Sequence, residues 1–151
     1  MNQRLTLAGA RTFGKVPTAW VSYDPERSIW MMEREYSVNI ITELDGEDMN
    51  FVVTIPKNFE FDLASVPRIL WSTLALHELG IVAPLVHDYL YGNTGRYSKD
   101  APPLSRKAVD QVFRFLMQQE NVATWRWRAA YQGVRLGGWS PWRRYAKANG
   151  L

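Results

Sequence analysis

The sequence predicts an α+β fold in which an N-terminal antiparallel β-meander packs against a C-terminal bundle of about four helices. Three observations predict it. Up to Phe61 the apolar residues come in short runs rich in Val, Ile and aromatics, separated by turn residues; from Asp62 onward their period changes from two to about three and a half. The length, 151 residues, is that of one ordinary domain, and 46% hydrophobic with 22% charged residues is the composition of a chain that builds a core. No internal repeat or low-complexity linker divides it, so residues 1–151 read as a single domain, mainly β over 1–61 and mainly α over 62–151.

The expected strands are residues 19–23, 29–33, 36–44 and 50–55. The clearest pair is the last, because Asp45-Gly46-Glu47-Asp48 offers an Asp-Gly step with the positive backbone angles of a tight reversal. Its flanks alternate, with Val38 and Ile40 on one side of the turn and Phe51, Val53 and Ile55 on the other. A loop over 56–61 then closes the sheet. Ser65 ahead of Val66-Pro67 signals the N-cap of a first helix through Leu76, and Pro84 sits in the first turn of a second reaching Tyr91. After a Gly- and Pro-rich loop over 92–103, Ser105 caps a third helix over 106–118. Ala123 begins the last, which ends at Gly137-Gly138.

No run approaches about 18 consecutive apolar residues, and Arg4 and Arg11 interrupt the N-terminus, so neither a membrane span nor a signal peptide is expected. The absence of cysteine excludes disulfides, thiolate metal sites and a cysteine nucleophile. Charge is unevenly distributed. Residues 1–100 hold nine Lys/Arg against thirteen Asp/Glu, a net of −4, whereas residues 101–151 hold nine against two, a net of +7. A basic end beside an acidic body suits contact with an anionic surface or with the acidic face of a protein.

Histidine chemistry has two residues to draw on, His77 and His87. His87-Asp88-Tyr89-Leu90-Tyr91 places His87 and Tyr91 one turn apart on one helix face, with Asp88 about 100° away. On the third helix Val109, Val112, Phe113, Leu116 and Met117 form an apolar stripe with Asp110 at its edge. If the two helices are neighbours, Asp110 accepts a hydrogen bond from one imidazole nitrogen and from the Tyr91 hydroxyl, and the other nitrogen is left to act as a general base. The plainer alternative is a core histidine satisfied by Asp110.

His87-Asp88-x-x-Tyr91 followed by Arg106-x-x-x-Asp110-x-x-Phe113-x-x-x-Met117 resembles the catalytic helix pair of bacterial and parvoviral phospholipase A2 domains. The resemblance implies that His87 activates water, that Asp88 holds Ca²⁺, and that Asp110 and Tyr91 orient the imidazole. It spans about thirty residues and lacks the glycine-rich calcium loop of that family. A second resemblance spans most of the chain. Phe61-Asp62-Leu63-Ala64-Ser65-Val66-Pro67-Arg68, then Val86 to Tyr91, then Ser105-Arg106-x-x-x-Asp110-x-x-Phe113, then Tyr131-x-x-Val134-Arg135 is similar to a family of short phage and prophage proteins described only as a domain of unknown function. It implies phage origin and a location in the virion or host cytoplasm.

Four further residues near these motifs admit two readings each. Asp62 and Ser65 form a turn and an N-cap, or Asp62 supplies a second carboxylate to a metal or proton-transfer site near His87. Arg68 pairs with Asp62 or binds an anionic substrate group. His77 is a surface histidine or a second metal ligand.

The C-terminal region gathers four of the seven tryptophans among five arginines. Trp127, Ala130, Tyr131 and Val134 form its core stripe; Trp125, Arg126, Arg128, Trp139, Trp142 and Arg143 are the residues for a lipid or protein surface, with nucleic acid ranked third. Two functions follow as expectations. One is an ester hydrolase of lipid or cell envelope built on His87, Asp110 and Tyr91, with Asp88 and Asp62 on a cation. The other is a virion component, of the tail, that docks on other virion proteins through its Trp/Arg-rich end. They differ in one feature: the hydrolase needs an open cleft over His87, and the virion component needs His87 buried and a contact surface elsewhere.

Overall fold

The chain is seen in a computed structural model that describes residues 5–12, 15–44, 46–62 and 81–151. Among the described residues six strands precede four helices: β1 (Leu5–Thr12), β2 (Val21–Asp24), β3 (Ile29–Met32), β4 (Tyr36–Leu44), β5 (Glu47–Ile55), β6 (Glu60–Phe61), α1 (Val82–Gly92), α2 (Arg106–Gln119), α3 (Thr124–Gly137) and α4 (Trp139–Ala148). The α+β class expected from the change in period is the observed one.

The strands form two antiparallel three-stranded sheets, ordered β1-β4-β5 and β2-β3-β6. In the first, Leu44 pairs with Glu47 across a two-residue turn in which Gly46 has φ +88°, a left-handed angle that glycine adopts without a Cβ penalty. That register sets Tyr36 opposite Ile55, Val38 opposite Val53 and Ile40 opposite Phe51, and all six side chains are buried. Alternation therefore assigns the inner face of this hairpin as the sequence predicts.

Three elements depart from expectation. The strand β1 pairs with β4, its register shifting between Thr6 and Arg11. Residues 56–61 are not all loop, because Phe61 pairs with Trp30 and Glu60 with Met31, forming β6. Gly137-Gly138 does not end the helical half, since α4 follows directly, with Pro141 in its first turn, where a missing N–H costs no helical hydrogen bond. The helix expected through Leu76, with Ser65, Arg68 and His77, lies outside the described residues.

One core joins strands and helices, running from Met32, Ile40 and Ile55 to Leu85, Leu90, Phe113 and Leu116. The helix α2 begins with Ser105 accepting the Ala108 N–H at 3.2 Å and packs between α1 and α3. Ile81, ahead of α1, supplies no side-chain cap; the Glu120 carboxylate beyond α2 accepts the Ala83 N–H instead, while burial raises its pKa. Among the described residues no helix is long and apolar enough to cross a membrane.

The connection from α1 to α2 reverses at Gly95, whose N–H donates to Leu90 and whose carbonyl accepts from Leu104 N–H. Gly95 has φ +80°, and a Cβ there would meet the Leu104 carbonyl oxygen at 1.9 Å. Gly95→Ala is therefore expected to destabilise the fold by about 3 kcal/mol, read from the shift in urea midpoint at unchanged slope.

Candidate functional site

The site is assembled on α1. Val82, Ala83, Leu85, Val86 and Leu90 are buried, so the helix is anchored by its apolar surface, and His87 and Tyr91 fall on an inward face one turn apart. Their rings lie 4.2 Å apart between centroids, and the Phe113 ring of α2 lies 4.6 Å from that of His87. His87 is 1% exposed.

Asp110 of α2 is 0% exposed and takes four donors. Its Oδ1 accepts from His87 Nε2 at 2.8 Å and from the Tyr91 hydroxyl at 2.7 Å. Its Oδ2 accepts from Arg135 Nη1 at 2.6 Å and from Arg106 Nη1 at 3.4 Å. A carboxylate only accepts, so the proton on the His87–Asp110 bond belongs to Nε2. The four lone-pair directions of one buried carboxylate are filled, and two guanidinium charges offset its own. Tyr91 is held neutral, its pKa pushed up first by burial and then by the Asp110 charge beside it.

The arginines carry the cluster into α3. Arg106 also donates to the Val134 carbonyl at 3.2 Å and to the Arg135 carbonyl at 3.4 Å, satisfying carbonyls at the C-terminal end of that helix. Beyond it, Gly138 lies against Tyr91: a Cβ there would sit 2.4 Å from the Tyr91 hydroxyl oxygen. Trp142 of α4 meets the Tyr91 ring edge-on at 5.1 Å. His87, Tyr91 and Asp110 meet through the hydrogen bonds expected from their helix positions, whereas the sequence assigns Arg106 and Arg135 no role in this cluster and reads Gly138 only as a helix end. The spacing of Arg106 four residues before Asp110 was the available signal for one of these.

Asp88 leaves this cluster on the other side of α1. It is half-buried and lines a cleft of about 270 Å³ with Asp62, Glu60 and Tyr145. The Tyr145 hydroxyl pKa is raised by burial, then by Asp88 and Asp62, with Arg144 opposing. Packing of Phe59 against Tyr89, at 5.3 Å, brings the end of β6 to α1 and with it Asp62. Ca²⁺ takes six to eight oxygens, and among the described residues no group of three or more His, Asp or Glu is placed to hold a metal.

The Trp/Arg-rich region divides. Trp127 is buried, with the Arg114 and Arg128 guanidinium carbons 4.8 and 5.4 Å from its ring, and Trp142 is half-buried on Tyr91. Trp125 (55% exposed), Leu136 (76%) and Trp139 (52%) face outward. Arg126 covers the Trp125 ring at 4.9 Å and Arg143 the Trp139 ring at 5.4 Å.

Residues 38–134, more than half of the chain, match the family model described as protein of unknown function (DUF1353), and the chain belongs to that family. No curated protein and no solved structure matches it significantly.

Asp110→Ala is expected to cost about 3–5 kcal/mol, because it leaves buried donors and two cations without their acceptor. Tyr91→Phe is expected to cost about 1–2 kcal/mol at neutral pH, both read by urea denaturation. The raised Tyr91 pKa adds a pH dependence with a definite sign. An unfolded phenol ionises near 10.0 and the folded one resists, so this contribution is complete below that pH and is lost as pH rises through it. Tyr91→Phe is expected to flatten the alkaline loss of stability in part only, because Tyr36 is raised by burial in the same direction.

Proposed function

We propose that this DUF1353 chain is a phage-encoded, non-enzymatic virion or assembly component of the tail, which docks onto an acidic protein surface through the exposed face of α3 and α4. The observation that carries the reading is that face. At 100° per residue Trp125, Gln132 and Leu136 fall within about 40° of one another, opposite the buried Trp127, Ala130 and Val134. Trp139, the first residue of α4, is exposed as well, and Arg128 and Arg143 are exposed on the same two helices. Apolar side chains stacked with arginines are what protein contact hot spots use.

The His87 cluster supports the same reading. A ring 1% exposed and packed against Tyr91 and Phe113 leaves no open approach for a substrate carbonyl and an attacking water, and Asp110 is saturated as a helix fastener would be. The resemblance to short phage proteins makes a component of the virion the natural partner.

A second reading, hydrolysis of a lipid or cell-envelope ester, is favoured by one observation: Asp62 and Asp88, singled out separately for one site, line the same cleft. Vesicle assays separate the two. Mixed phospholipid vesicles, with Ca²⁺ or with a chelator, are expected to release no fatty acid with wild type or with Asp88→Asn. Release by wild type that Asp88→Asn abolishes would reverse the order of the readings. Docking itself is tested in particles purified after infection. The wild-type chain is expected to be retained and the Leu136→Asp/Trp139→Ser variant lost, and absence of both from particles would overturn the virion assignment.

A further inference from the structure

Resting on the docking reading above, we propose that the acidic surface met by the α3–α4 face is the β2–β3 end of a second copy of this chain, so that copies associate head to tail. Each half of the molecule carries one member of a complementary pair. On the helical side, residues 101–151 hold a net charge of +7, and their two acids are turned inward: Asp110 is fully buried under Arg106 and Arg135, and Glu120 is half-buried against Ala83. The outer face of α3 and α4 thus combines Trp125, Leu136 and Trp139 with arginines and no exposed carboxylate side chain.

On the strand side, residues 1–61 hold six Lys/Arg against nine Asp/Glu, a net of −3. Trp20, 55% exposed, precedes β2, and its carbonyl accepts the Glu33 N–H at 2.9 Å, so the residues following β3 lie beside it. Glu33 and Glu35 are exposed there, and among the described residues neither is ion-paired; Arg34 is stacked over Trp20 at 4.7 Å, and Tyr23 is exposed on the neighbouring strand. An exposed tryptophan with two unpaired carboxylates is the counterpart of exposed tryptophans with arginines. Stacking of Arg126 on Trp125 and of Arg143 on Trp139 orders these side chains beforehand, which lowers the entropy lost on contact.

Because the two patches are different surfaces of one chain, the contact is heterologous. Such a contact closes into a ring or extends into a filament, and does not stop at a two-fold dimer.

Sedimentation velocity of the purified full chain tests this. Wild type at low salt is expected to form species above monomer mass that grow with concentration, and to return toward monomer at ~1 M salt, where screening acts within about 3 Å. Two variants disable one patch each: Leu136→Asp/Trp139→Ser on the helices and Glu33→Lys/Glu35→Lys on the strands. Each alone is expected to be monomeric with an unchanged circular dichroism spectrum. Their mixture is expected to give a one-to-one dimer and nothing larger, since one intact patch remains on each. A monomeric wild type at every concentration and salt overturns the proposal, as does association that either variant retains alone. If wild type is monomeric but the particle-retention result above still holds, the partner is a different virion protein and only the self-association fails.

Discussion

A carboxylate with no access to water is the constraint on which the helical half depends. Removing such a charge from solvent costs several kcal/mol unless hydrogen bonds and opposite charges replace the water. Asp110 obtains that replacement from three helices at once: His87 and Tyr91 from α1, Arg106 from its own helix, and Arg135 from α3. Each donor has a fixed reach, so satisfying all of them fixes the relative positions of the helices. The requirement extends to the backbone at Gly138, which must approach the Tyr91 hydroxyl closely, and to Trp142, which packs on the far edge of the same ring.

The same helix that supplies this inner cluster shows a different chemistry one residue along. His87 and Asp88 are adjacent in the chain, and the 100° between them separates a sealed, saturated network from a cleft open to solvent. What completes the cleft is aromatic packing: Phe59 and Phe61 stack with each other, and Phe59 meets Tyr89, so the end of the strand half is held against α1. Asp62 follows Phe61 directly and is carried there by that packing.

Much of this was legible because it depends on local periodicity. The β4–β5 hairpin follows from alternation and an Asp-Gly turn, and the meeting of His87, Tyr91 and Asp110 follows from a one-turn spacing on one helix and an edge position on the next. What escaped sequence reasoning has no local period. Arg135 reaches Asp110 across 25 residues, and its place at the end of α3 marks it only as a common C-terminal cation. The strand β6 is two residues long and exists through its pairing with β3, while the small residues of Leu5–Thr12 give β1 a weak alternation. Gly138 carries two signals that coincide: it looks like a terminator because it lacks a side chain, and it lacks a side chain because Tyr91 occupies the space.

The order of the partners along the chain has a consequence for synthesis. A ribosome delivers His87 and Tyr91 first, then Arg106 and Asp110, and Arg135 only 25 residues after the carboxylate it neutralises at shortest range. Until α3 has emerged, burying Asp110 would strand a charge with only partial compensation, so the nascent helices have reason to stay loosely associated and hydrated. Arrival of Arg135 removes that penalty, and the helical half then has a single late step at which it becomes dry.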